Sequence, residues 1–242
     1  MPWHLPVRRG RLVEECGLDC LRVRSGDSAV ASAKAKVHTR RMDVLTTLGR
    51  TLGFSFAAGI NLYATVAILG LASRFDWVTL PPQFKVFDND IVIGAAIVMY
   101  LVEFVADKVP WLDSIWDAIH TVIRPVGGAL IAVATLGHAS PTVEGLAALF
   151  GGALAASSHF SKAGTRAIAN ASPEPFSTWI LSITEDVFVV GLGILALKHP
   201  VIALAVVAFC VILILTFAAW IYRAVKRRFV REPAIAGATG GV

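Results

Sequence analysis

Apolar runs separated by short polar or proline-bearing junctions fill the chain from residue 51 to residue 222. A hydrocarbon core about 30 Å thick needs roughly 20 apolar residues per helix. Six stretches approach that length: 51–73, 90–106, 116–137, 143–160, 176–197 and 200–222. The first, fifth and sixth are long enough on their own, whereas the second and fourth are short. Helix breakers mark the junctions at Pro81, Pro82, Pro110, Pro141, Pro173, Pro175 and Pro200. Pro125 lies inside the third run, directly after Arg124. That placement predicts a helix that starts at the membrane surface and bends there, with Gly127 and Gly128 admitting a close neighbour. The fourth run, GLAALFGGALAASS, is built almost wholly from small residues, as expected of a central packing helix. The pattern predicts an all-α membrane protein with about six transmembrane helices.

Polar residues recur inside these runs at helical spacing. Glu185 and Asp186 sit about ten residues into the fifth run, roughly 15 Å deep at 1.5 Å per residue. A charge at that depth costs at least about 2.5–3.5 kcal/mol unless it is paired, neutralised or wetted. Thr178, Ser182 and Glu185 form one stripe, with Asp186 beside it. Tyr100, Glu103 and Asp107 share a face of the second run. Asp113, Asp117, His120 and Arg124 follow at steps of four, three and four, and His159, Lys162, Arg166 and Asn170 at three, four and four. Acids outnumber Lys108, Arg124, Lys162 and Arg166 by two, an excess that protonated His120 and His159 could balance. A polar vestibule facing the cytoplasm is the expectation, with Glu185 and Asp186 at its inner end. Blander readings stand beside it. The first acids could be a solvated loop and helix cap, residues 159–170 an amphipathic helix on anionic head groups, and Glu185 a structural ion pair with Arg166 or Arg124.

Orientation follows from the basic residues of the loops. Arg50, Lys108, Arg124, Lys162, Arg166, Arg223, Lys226, Arg227, Arg228 and Arg231 fall on one side, and only Arg74, Lys85 and Lys198 on the other. Both termini are therefore expected in the cytoplasm, with residues 226–242 as a cytoplasmic tail. AAGINLYAT (57–65) echoes KAGTRAIAN (162–170), so a three-plus-three inverted repeat is a further possibility.

Composition agrees. Of 242 residues, 56% are hydrophobic and 16% charged, with mean hydropathy +0.68, well short of the ~25% charge of soluble domains. The net charge of +5 resides in residues 1–41, which carry nine Lys or Arg and four acids, so no nucleic-acid partner is implied. That basic extension is expected to be disordered, with no apolar core of a secretory signal. Because Met42 precedes the first apolar helix, translation is expected to begin there. Cys16 and Cys20 make a weak metal pair, and Cys210 is expected to pack as a small apolar residue. Asp113, Asp117 and His120 share a face, a nonspecific set for a metal. Trp77, Trp111, Trp116 and Trp220 fall near run ends, as interfacial anchors do. Phosphate-loop, zinc-protease and serine-hydrolase motifs are absent from the sequence, which implies no cofactor.

EFVADKVPWLDSIWDAIHTVIRPVGGAL (103–130) and KAGTRAIANASPEPFSTWILSITED (162–186) together resemble a family of bacterial multi-pass membrane proteins known as domain of unknown function 4126. The resemblance covers roughly Met42 to Tyr222. It implies a membrane fold, in a bacterial cytoplasmic membrane, and supplies no substrate. The functional expectation rests on the residues. Glu185 and Asp186 bind a cation or exchange protons in a transporter-like or channel-like site, with Glu103, Asp107, Arg124, Lys162 and Arg166 setting their charge state. A scaffold or anionic-lipid-binding protein is the alternative, and a membrane enzyme using His120 and His159 for proton transfer a third. The small-residue helices also permit a homo-oligomer.

Overall fold

The structure is a computed structural model that describes residue 36 and residues 41–78, 82–171 and 175–231. Most of the basic extension lies outside the described residues, as do Cys16, Cys20, Pro81, Pro173 and residues 232–242. The chain divides into two units, Met1–Leu45 and Thr46–Val242. In the first, residues 41–45 are helical. The second is a helical assembly, and the described residues contain no strand. Its helices are α1 (46–60), α2 (Leu62–Arg74), α3 (Asp90–Ala106), α4 (Pro110–Leu136), α5 (Pro141–Asn170), α6 (Pro175–Lys198) and α7 (Pro200–Arg231), with a 3-10 turn at Pro82–Phe87 before α3.

Local chemistry sets most of these boundaries. Asn89 caps α3, its side chain accepting from the amides of Ile91 (2.9 Å) and Val92 (3.3 Å). Pro110 and Pro141 occupy the first turns of α4 and α5, where the missing amide costs nothing. Gly137 ends α4 at φ 77°, a left-handed conformation that suits glycine. One expectation needs correction here. The third helix begins at Pro110, six residues before the predicted run, and Asp113 and Asp117 of its first turns are buried. Pro125 lies inside α4, as its place in the third run predicts, and the helix runs through it without interruption. At the other end of the chain α7 continues helically to Arg231, so residues 226–231 extend the helix.

The first predicted run is the centre of the assembly. Phe54, Phe56, Ala57, Ala58, Leu62 and Leu69 are buried, packed by Ile131 of α4, Val189, Leu192 and Ala196 of α6, and Ala203 and Val207 of α7. Close approach is possible because the facing residues are small. A side chain on Gly59 would overlap Ser158 and the Ala155 carbonyl, one on Gly128 would overlap Ala155, and one on Gly151 would overlap Ala132. Ser158 Oγ donates to the Phe56 carbonyl (2.8 Å) and Ser55 Oγ to that of Gly128 (3.1 Å). The expectation that the small-residue helix packs centrally holds for its Gly151 and Ala155 face.

Burial is inverted relative to a soluble protein. Arg124, Arg166, Glu103 and Asp113 are buried, while Ile91, Val122, Leu130, Phe209, Leu215 and Phe217 are exposed. Among the described residues, three helical segments are long and apolar enough to cross a membrane: Pro110–Leu136, Phe176–Lys198 and Pro200–Arg227. Of the remaining predicted runs, 51–73 is divided at Asn61, 90–106 is a 17-residue helix and 143–160 lies within the 30-residue α5. Trp77, Trp111 and Trp220 are exposed, whereas Trp116 stacks on His120 with centroids 4.6 Å apart. Trp116 is half-buried and packs against a residue of the polar network.

Candidate functional site

The α1–α2 interruption and the four polar stripes converge. Asn61 adopts an extended conformation (φ −146°, ψ 99°), and its side chain accepts from the Ala64 amide (2.9 Å) to start α2 afresh. An interruption inside a buried helix leaves carbonyls without their usual partners four residues on. Two of these are met by cations. Arg124 Nη1 donates to Gly59 O (3.4 Å) and Lys162 Nζ to Ile60 O (3.2 Å).

Those cations also bind the acids of α3. Glu103 Oε1 accepts from Arg124 Nη2 (2.7 Å) and Lys162 Nζ (3.0 Å), and all three side chains are almost wholly buried. Arg166 forms a second centre. Its Nη2 reaches Asp107 Oδ2 (2.7 Å) and Glu185 Oε2 (2.5 Å), its Nε reaches Glu185 Oε2 (3.1 Å), and its Nη1 lies 3.4 Å from Asp113. Asp113 also accepts from Asn170 Nδ2 (2.7 Å), and Asp117 pairs with Arg124 (3.4 Å). Lys162 lies 3.5 Å from Asp107 and 3.6 Å from Glu185, which links the two centres. Every predicted site residue is therefore drawn into one locality. The stripe 159–170 faces acids on neighbouring helices, and Asp107, Asp113 and Asp117 are buried, so neither a membrane-surface helix nor a solvated loop describes these segments. Most of the network is buried, and 12% of the Glu185 side chain is accessible.

The histidines have fixed roles. Arg124 Nη1 lies 2.9 Å from His159 Nδ1, and a guanidinium can only donate, so Nδ1 accepts and Nε2 carries the proton toward Thr121 Oγ1 (3.2 Å). Protonated His159 cannot balance the acids in this geometry, contrary to the expectation. His120 Nδ1 donates to the Trp116 carbonyl (2.7 Å), with Tyr63 OH 3.0 Å from its Nε2. Asp113, Asp117 and His120 share a helical face yet turn to different protein partners, and no metal-holding group of acids, His or Cys occurs among the described residues.

Glu185 and Asp186 differ sharply. Glu185 is ion-paired to Arg166 and Lys162. Asp186 has no cation within ion-pairing distance among the described residues. Its Oδ1 accepts from Asn61 Nδ2 (3.2 Å), the Tyr100 hydroxyl lies close by, and its buried Oδ2 has no hydrogen-bond partner among the described residues. Sequence reasoning passed over Asn61 and Tyr63. The signal for Asn61 was an amide in the middle of an apolar run, directly after GI.

Neither a curated protein nor a solved structure matches the sequence. A family pattern does, over residues 48–223, which span α1 to α7 and the whole network, so the chain belongs to the family described as a domain of unknown function (DUF4126).

Proposed function

We propose that this chain is a multi-pass protein of a bacterial cytoplasmic membrane that handles protons or a small cation through its buried polar network. The interrupted α1–α2 pair, α3, α4, α5, α6 and α7 make six crossings, with both termini in the cytoplasm. Asp186 is the carboxylate that changes state. The observation that carries this reading is the contrast between neighbours: Glu185 is locked by Arg166, while among the described residues Asp186 has no ion-pairing cation and is met by neutral groups, the amide of Asn61 at the helix interruption and the Tyr100 hydroxyl. Interrupted helices near mid-membrane, with polar backbone exposed to an internal site, are a recurrent way of building transport sites. An isolated buried carboxylate is poised to take up a proton or a cation, since either relieves the cost of an unpaired charge.

The test is flux in proteoliposomes. Asp186→Asn is expected to abolish proton or cation flux while leaving folded protein, and unchanged flux would remove the reading. A second reading, a non-transport scaffold, is favoured by the ion pairs that tie α3, α4, α5 and α6 together. It predicts no flux in the parent protein. Recognition of anionic head groups by Lys162 and Arg166 has less support, because both cations are buried against carboxylates.

A further inference from the structure

An open-sided cavity of about 330 Å³ lies between α1, α5, α6 and α7, beside the network but not filled by it. That volume is within the range of small-molecule sites, roughly 300–1,000 Å³. Its walls are apolar and partly aromatic. Phe56 of α1 and Phe188 of α6 meet edge to face with centroids 6.4 Å apart, and Leu213 and Ile214 of α7 continue the lining. At one end stands Glu185, whose side chain keeps 12% of its surface accessible.

The sign of the field in this cavity follows from the neighbouring charges. Lys162 also borders it, but its ammonium is bound to Ile60 O and Glu103, lies 3.6 Å from Glu185, and only 2% of its side chain is accessible. The network as a whole sets six carboxylates (Glu103, Asp107, Asp113, Asp117, Glu185 and Asp186) against the four cations Lys108, Arg124, Lys162 and Arg166, an excess of two acids. Hydroxyls at the rim add acceptors. Thr165 Oγ1 donates to Lys162 O (2.8 Å) and Thr184 Oγ1 to Ile180 O (2.7 Å), so each hydroxyl keeps only acceptor capacity for an occupant. Uncompensated negative charge in a low-dielectric surrounding attracts a cation and repels an anion. Aromatic faces favour the same sign, and do so most where water is excluded.

We propose that this cavity binds a small lipophilic monocation, an organic ammonium whose charged head lies against Glu185 and whose apolar part lies between Phe56, Phe188 and Leu213. This inference rests on the reading of the network as a cation-handling site and narrows its substrate class. Binding is nevertheless measurable without transport.

The experiment is isothermal titration of the full chain in phosphatidylcholine nanodiscs with benzyltrimethylammonium and with benzylsulfonate, which are similar in size and opposite in charge. The ammonium is expected to bind and the sulfonate not. Cys210→Trp places an indole in the cavity without altering a charge, and is expected to abolish binding. Glu185→Gln is expected to raise Kd at least tenfold; should that variant fail to fold, Cys210→Trp decides. Equal binding of both probes, or unchanged affinity in Cys210→Trp, would overturn the site. So would native mass spectrometry showing a lipid chain that the ammonium does not displace and that Cys210→Trp releases. Ammonium binding without any flux upholds the cavity and removes the transport reading. Flux that depends on Asp186 without ammonium binding does the reverse.

Discussion

Glu103 is fully buried, and one of its oxygens serves both Arg124 and Lys162 at 3.0 Å or less. Removing one partner of a buried ion pair leaves the other charge uncompensated, at a cost of about 3–5 kcal/mol. Glu103→Gln is therefore expected to lower thermal stability in detergent severely, which a fluorescence melt would register. Asp186→Asn should differ. It removes a charge that no cation balances and keeps an acceptor for Asn61, so its melting temperature should match or exceed that of the parent. A melt as damaging as that of Glu103→Gln would place Asp186 among the structural pairs. At this scale the acids and bases could be found from the sequence, since steps of three and four put each set on one helical face. Their partners could not. Whether Arg166 meets Glu185 or a lipid phosphate depends on how helices turn against one another, and side-chain spacing within one helix carries no information about that.

Among the elements, the α1–α2 interruption is the feature that pattern reading missed. An apolar run of 23 residues predicts a continuous helix, and one asparagine does not overturn that from the sequence alone. The tertiary surroundings do, because Arg124 and Lys162 supply donors for the carbonyls that the break releases. Asn61→Ala removes the cap and the bond to Asp186. It should cost about 0.5–2 kcal/mol, as N-cap losses do, and should raise amide exchange across residues 61–64. Unaltered exchange there would deny Asn61 its part in the break. The continuous α4 carries Pro125 in its interior, as the third run predicts, since helices in apolar surroundings tolerate proline where neighbours re-satisfy the backbone. The small-residue signal of α5 was dependable as well, because close approach depends directly on the missing side chain. Gly151→Val would collide with Ala132 and is expected to cost about 1–3 kcal/mol, visible as a lower melting temperature.

For the whole molecule, hydropathy alone located the apolar segments and established that the polar stripes must turn inward. It did not reveal which helix is central, since hydrophobicity is similar for a helix surrounded by protein and one surrounded by lipid. Among the described residues, three segments meet the length and apolarity needed to cross a membrane; the other helices are divided, short or charged toward the interior, which is what burial against the network entails. The claim that joins these scales is that one carboxylate, Asp186, is free to change protonation state while the remaining acids of the network are held by cations. Infrared difference spectroscopy of the reconstituted protein across a pH titration tests it most directly. The account predicts a protonated-carboxyl band that titrates in the parent, vanishes in Asp186→Asn and persists in a folded Glu185→Gln variant. A band that persists in Asp186→Asn, or none in the parent at any pH, would contradict it.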